Sequence, residues 1–416
     1  MLAQYIFELR PVRPTLTYDF VVVGAGIVGL TVAMELRKRH PDLSIVVLEK
    51  ERDIGLHASG RNSGVMHSGV YYGTTTLKAK FCALGAYRMR EFAAEHGIAY
   101  KKVGKVIIAT SPTDLPTLNQ LMSNAKGNNV RADYLDAEAV KEIEPHASAY
   151  EAGIYCPDTA VIDSKGVINK LRELLRDTAV DFIYDTLIFS ASSKDRLVST
   201  SKGEISYGFL YNCAGAGADI VARLFGHASD YALVPFKGIY YKLKDDRRYL
   251  VKGNIYPVPD IALPFLGVHL TKVISGEVYI GPTAIPALGR ENYGILKGIK
   301  LVEGFKIARQ LLSMYQDNRE NFRKLAHEEM RKYYKPFFTA AAKRLVSKLE
   351  VTDLEPSNKV GIRPQLVNLK TRTLEMDYVI ETGQHSMHVL NSISPAFTSA
   401  LAFCESIVDQ SEGVRL

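Results

Sequence analysis

Two short apolar runs open the chain, Phe20 to Val23 and Ser44 to Leu48. Runs of this length without alternation suit strands covered on both faces. Between them apolar positions recur at helical spacing to about Lys38, so the opening reads strand, helix, strand. Helical spacing returns over Thr76 to His96, Thr113 to Lys126 and Ala137 to Glu144, which Gly97, Gly127 and Pro145 close in turn. Val103 to Ala109 reads as a strand. Asp163 caps a helix to about Arg176, and Asp181 to Tyr184 is a further strand. Phe209 to Asn212 is a buried strand leading into a small-residue turn and a helix to Phe225. From 234 to 281 the chain alternates and is rich in Tyr, Val and Ile, which fits antiparallel strands. Residues 295 to 350 are strongly helical. A last section starts at Asn358 and ends in a helix to about Val408, with Ser394 as N-cap and Pro395 in its first turn.

The first helix starts on Gly24-Ala-Gly26-Ile-Val-Gly29. The first glycine allows the tight turn, the second lets backbone approach a pyrophosphate, and the third lets helix pack on strand. Glu49 ends the second strand, twenty positions after Gly29, where a carboxylate can take a ribose hydroxyl pair. Directly after comes Ala58-Ser-Gly-Arg-Asn-Ser-Gly-Val-Met-His-Ser-Gly-Val-Tyr-Tyr72, which follows neither helical nor strand period. A loop so dense in small residues lets backbone pass close to a ligand. An NAD enzyme does not need it there, whereas FAD extended across the sheet does. The expected architecture is α/β: a Rossmann-like FAD-binding domain of the glutathione-reductase type from 18–97, 151–230 and 355–416. The second, α+β substrate domain is built on an antiparallel sheet from 98–150 and 231–354. Expected FAD contacts are Gly24, Gly26, Ile27, Gly29, Glu49, Lys50, Ser59, Arg61, Asn62, Ser63, Gly64 and His67, then Leu187, Ala214, Gly215, Gly361, Arg363, Asn391, Ser392 and Ser394.

Composition narrows the class. The 416 residues suffice for two cores, and the four cysteines form no CxxC pair, which argues against zinc or a disulfide framework and for a reducing, cytoplasmic setting. No metal site is expected. The net charge of +7 is concentrated in the basic segment 295–350. That segment reads as a solvated helical face or as a peripheral contact with an anionic membrane. Nucleic-acid binding is disfavoured because no recognised motif accompanies the charge. No apolar run is long enough to span a bilayer, and residues 1 to 17 read as a short extension before the first strand.

The stretches Asn62 to Tyr72, Leu77-Lys-Ala-Lys-Phe-Cys82, Tyr256-Pro-Val-Pro-Asp260, Pro264-Phe-Leu-Gly-Val-His269, Gly361-Ile-Arg363 and His388-Val-Leu-Asn391 with Ser394-Pro-Ala396 carry a resemblance. The chain resembles the FAD-dependent oxidoreductases of the D-amino-acid oxidase superfamily, and within them the L-2-hydroxyglutarate dehydrogenases/oxidases. The resemblance implies oxidation of L-2-hydroxyglutarate to 2-oxoglutarate, with electrons passed from FAD to a quinone or oxygen. It also implies that Arg363, in a Gly-x-Arg-Pro turn, holds the substrate carboxylate, for which a guanidinium is suited. Arg61, Lys237, Ile239, Thr283 and Ser392-Ile393 depart from the family pattern. The departures keep one alternative open, the same fold acting on another 2-hydroxy acid, glycerol 3-phosphate or an amino acid, and the basic helices motivate a second, a flavin-binding peripheral membrane protein without this turnover.

Oxidising a 2-hydroxy acid requires the Cα–H aimed at the flavin, a base for the hydroxyl proton and a cation on the carboxylate. His67 is the first choice of base and His269 the second. The expected substrate residues are Tyr72, Lys237, Tyr240, His269, Arg363 and His388, with Lys237 on a distal carboxylate. The helix near Ser394 points its positive end at the reduced flavin.

Overall fold

The structure is a computed structural model describing residues 15–261, 263 and 265–415. Most of the expected N-terminal extension lies outside the described residues, as does Pro264.

Leu16–Val23 lies inside an eight-stranded sheet. It pairs in parallel with Gly203–Asn212 on one side and Ile45–Leu48 on the other. Asp181–Ile183 and Ser386–Val389 extend the parallel pairing outward. The unbroken apolar runs have their cause here: Phe20, Val21, Val22, Ile45, Val46 and Val47 are all buried. Such strands are covered on both faces, so no position alternates to solvent. The helices Ile27–Arg39 and Leu77–Glu95 pack with the last helix, Ala396–Arg415, over this sheet.

A second, ten-stranded sheet is mostly antiparallel. Its longest pair, Tyr231–Leu243 and Leu354–Asn368, lies toward one edge, and Val278–Gly281 comes next. His269–Lys272, Asn254–Pro257, Lys105–Ile108 and Ala152–Cys156 follow toward the far edge. A small three-stranded sheet of Val65–Met66, Ala160–Ile162 and Tyr100–Lys102 ties the glycine-rich loop to the rest.

Several expectations shift. The ladders put 152–156 and 354–374 in the second sheet, outside the segments expected for it. Gly361-Ile-Arg363 is accordingly no turn but the middle of a 15-residue strand. Pro364 lies opposite Pro235, so neither proline is asked for a ladder N–H by the other. The last helix begins at Ala396, which places Ser394 ahead of the cap and Pro395 ahead of the first turn, and it runs on to Arg415. In the basic segment, Leu301–Asp317, Phe322–Arg331 and Lys335–Lys343 are helical, while 295–300 is not.

Candidate active site

A cavity of about 720 Å³ lies between the two sheets. One part is made of backbone. Val23 pairs with both Leu48 and Asn212, so the first glycine turn emerges at the carboxyl ends of parallel strands. Gly24 has φ +102°, and a Cβ there would stand 2.5 Å from the Cys213 carbonyl oxygen. A Cβ on Gly29 would stand 1.9 Å from the Gly24 oxygen. Both positions therefore exclude any side chain. The Ile27–Arg39 helix has no acidic residue in its first turn and no side-chain cap on Gly26. Its Ile27 N–H donates to Ser59 Oγ at 2.9 Å. Glu49 is buried, and its carboxylate accepts from the Ala25 and Glu51 amides at 2.7 and 3.0 Å.

Gly24, Gly26, Ile27, Glu49, Lys50, Ser59, Arg61, Asn62, Ser63, Leu187, Ala214 and Gly215 all line the cavity. Gly29 and Gly64 do not; Gly29 packs helix on strand, and Gly64 turns at φ +74° against Ile162. Arg61 donates to the Leu56 carbonyl and stacks 4.1 Å over Tyr293. Lys50 bridges Glu51 and Glu291, the latter at 2.6 Å, and contacts His57. Glu51, His57 and Glu291 bring ligand atoms within 4.8 Å of one another, and the Lys50 ammonium supplies the cation among them. Two glycine turns, an uncapped helix start and a carboxylate at a strand end fit an extended dinucleotide.

The other part is made of side chains. His67, Tyr71, Tyr72, Tyr240, Tyr256, His269, Gly361, Arg363, Ser392 and Ser394 line it. His67 is anchored through its backbone N–H to Thr398 Oγ1 at 3.2 Å, in the first turn of the last helix. Its Nε2 lies 3.4 Å from Ser394 Oγ, and its Nδ1 has no hydrogen-bond partner. Burial, with the nearby Lys105 and His269, pushes its pKa down to about 3. His269 heads its strand and stacks on Tyr256 with ring centroids 3.9 Å apart. Its pKa is also pushed down to about 3, chiefly by burial. Its Nδ1 lies 2.8 Å from the Gly267 carbonyl, which can only accept, so Nδ1 carries the proton and Nε2 is the basic atom. Arg363 is directed inward from the long strand. Its guanidinium gives one hydrogen bond, to the Thr283 carbonyl at 3.0 Å, and has no carboxylate partner among the described residues.

Three expected contacts lie elsewhere. Lys237 is buried, and its Nζ donates to the Gly294 carbonyl at 2.6 Å, because its strand alternates and Gly238 and Tyr240 take the cavity face. His388 is fully buried between Asn212, Ser386, Phe225 and His227, on a strand behind the cavity wall. Asn391 spends its amide on the Glu375 and Asp377 carbonyls and braces the turn that carries Ser392 and Ser394. Other residues were not anticipated. Tyr293 and Glu291 come from an irregular segment with no motif. Lys105 and Lys78 offered one signal each, a lysine set in an apolar run and one on the inner face of an amphipathic helix.

Residues 19–410 match the family described as DAO, FAD dependent oxidoreductase. The chain is 35% identical over 392 residues to the L-2-hydroxyglutarate dehydrogenase of Indibacter alkaliphilus, covering 92% of this chain and 96% of that one. It is 34% identical to the mitochondrial L-2-hydroxyglutarate dehydrogenase of Homo sapiens, covering 95% and 89%. In fold it is similar to the dithionite-reduced L-alpha-glycerophosphate oxidase from Mycoplasma pneumoniae with FAD bound, at TM-score 0.76, 21% identity and 94% coverage of both chains. Backbone cradle, cavity and sequence thus agree, and the chain belongs to the FAD dependent oxidoreductases, with FAD as its cofactor.

Proposed function

We propose that this enzyme oxidises L-2-hydroxyglutarate to 2-oxoglutarate. The observation that carries the reading is Arg363, whose guanidinium faces the cavity with no ion pair among the described residues, Glu329 acting on it only at longer range, beside two neutral histidines. A substrate carboxylate supplies the missing anion, and relatives bearing the name L-2-hydroxyglutarate dehydrogenase supply its identity. FAD, held along Gly24, Gly26, Glu49 and Ser59, would supply a hydride acceptor for the substrate's Cα–H. Arg363 grips the α-carboxylate and thereby orients the single Cα–H of the substrate. His269 takes the hydroxyl proton at Nε2, since its tautomer is set by Gly267. His67, the first choice from sequence, is tied to Ser394 and the last helix and positions that end of the pocket. Tyr72 and Tyr240 wall it.

The test is anaerobic. Flavin bleaching by L- and D-2-hydroxyglutarate, L-lactate, glycerol 3-phosphate and L-glutamate is followed for the parent, His67→Gln and His269→Gln. The L-2-hydroxyglutarate reading requires that this acid reduces the parent fastest. His269→Gln is expected to slow reduction about 100-fold or more. A His269→Gln enzyme with the parent's rate would move the base to another residue.

A quinone or oxygen then takes the electrons. A membrane quinone is favoured by one surface. Ile295, Leu296, Leu301, Val302, Phe305 and Leu312 are exposed, Leu301 to 89% and Phe305 to 73%. Lys297, Lys300, Lys306 and Arg309 stand exposed among them. An apolar ridge set in cations suits an anionic bilayer surface, and no helix of the described residues is long and apolar enough to cross one. Flotation with anionic vesicles is expected to carry the parent but not Leu301→Asp/Phe305→Asp. Equal flotation of both would remove this surface from consideration.

A further inference from the structure

Lys105 opens the run Lys105-Val-Ile-Ile108, and its side chain points into the protein. It is 1% exposed. Its Nζ lies 4.3 Å from the ring centre of Tyr71 and 5.4 Å from that of Tyr256, two residues that line the cavity. It has no hydrogen-bond acceptor and no carboxylate partner among the described residues. The thiols beside it, Cys82 and Cys156, are held neutral by burial and cannot serve as counter-ions. The Tyr71 hydroxyl and His67 Nδ1 are likewise buried without a partner.

Burial lowers the Lys105 pKa, because an unpaired ammonium is costly there, and an anion placed beside it favours the charged form. Two other unsatisfied polar atoms, of Tyr71 and His67, belong to residues that line the cavity, and Lys105 stands directly behind the Tyr71 and Tyr256 rings. Arg363 and Lys105 both lie near enough to His269 to act on its charge. A ligand with an anion at each end answers this arrangement, whereas a monocarboxylate leaves one cation unmatched.

We propose that the end of the pocket walled by Tyr71 and Tyr256 receives the substrate's second carboxylate, with Lys105 as its counter-charge. This rests on the 2-hydroxy-acid reading above and adds the device that selects a dicarboxylate. Lys105 stands behind the aromatic wall and acts as a specificity residue. Arg363 keeps the α-carboxylate, and the hydroxyl lies toward His269.

The experiment compares the FAD-loaded parent, Lys105→Met and Tyr71→Phe. Each is assayed with L-2-hydroxyglutarate and with the monocarboxylate L-2-hydroxybutyrate, and each is titrated with glutarate while its melting temperature is followed. In Lys105→Met, the preference in kcat/KM for the dicarboxylate is expected to fall on the order of 100-fold, mostly through KM, because a site built around a polar partner discriminates strongly. Glutarate is expected to stabilise the parent and leave Lys105→Met unmoved. Tyr71→Phe is expected to lose about 10-fold of the same preference. Equal losses for both substrates, or a preference and a glutarate shift that survive Lys105→Met, would overturn the assignment. If Lys105→Met does not retain FAD, Tyr71→Phe decides by the same two readouts. If no hydroxy acid bleaches the parent, the reaction reading fails by itself, and the glutarate shift still tests the anion site.

Discussion

The two halves of the cavity are built by different means. The dinucleotide half is backbone: consecutive turns whose glycines admit no side chain, with Gly29 closed against Gly24 and Gly24 against Cys213. The substrate half is side chain: His67, Lys105, Tyr256, His269 and Arg363, drawn from a loop and four different strands. The first half tolerates almost nothing at its glycines, whose limits are set by backbone, that of Cys213 included. The second tolerates change at each position but depends on strand register, since a one-residue slip turns every side chain to the other face. Holding a constant cofactor and choosing a variable substrate are thereby separated.

Four substitutions or conditions probe this contrast, in order of expected effect. Gly29→Val should abolish FAD retention, because its Cβ would overlap the Gly24 carbonyl oxygen. Flavin absorbance of the purified protein measures it, and a yellow Gly29→Val protein would break the contrast at its strict end. Arg363→Met should retain FAD yet lower kcat/KM for the substrate by about 100- to 1,000-fold, since it removes a buried charged contact. Loss of flavin together with activity would show that the halves are not separable.

The third probe is pH. His67, His269 and His388 all have pKa values pushed from 6.5 to about 3, mainly by burial. The unfolded chain therefore binds protons that the folded chain refuses once pH drops below 6.5. Their contribution to stability is complete above that value and falls as pH goes down toward 3. Urea unfolding at stepped pH should show this slope, shallower in His269→Gln than in the parent. Smallest is Lys237→Met: KM should stay within about twofold and stability should drop by about 1 kcal/mol, the size of one hydrogen bond. A large KM change would return Lys237 to the substrate site.

The same contrast decides what could be read in the residues alone. The parallel core, the glycine turn and Glu49 leave local marks in the sequence: unbroken apolar runs, a glycine spacing and an acid at a strand end. Cavity lining by Gly24, Gly26 and Glu49 was therefore legible before any fold was known. Lys237 was misplaced because its strand has apolar residues on both faces, Phe236 and Ile239 among them, so alternation does not say which face meets the cavity. Gly361-Ile-Arg363 looked like a turn because glycine and proline flank it. The partner strand at 231–243 supplies the extended register, and that partner is more than a hundred residues away in the chain. His388 sits near the active-site turn in sequence, yet its strand lies behind the cavity wall.

The packing of the last helix bears on how the protein is made. Ala396–Arg415 covers the Ile27–Arg39 and Leu77–Glu95 helices, and its first turn anchors His67. During synthesis the opening strand and its glycine turn leave the ribosome well before the helix that covers them, Ala396–Arg415, is made. Until then the nascent chain must carry an uncovered apolar helix face. Such a chain has reason to depend on a holding chaperone, and on cofactor supplied late, after the final helix has docked.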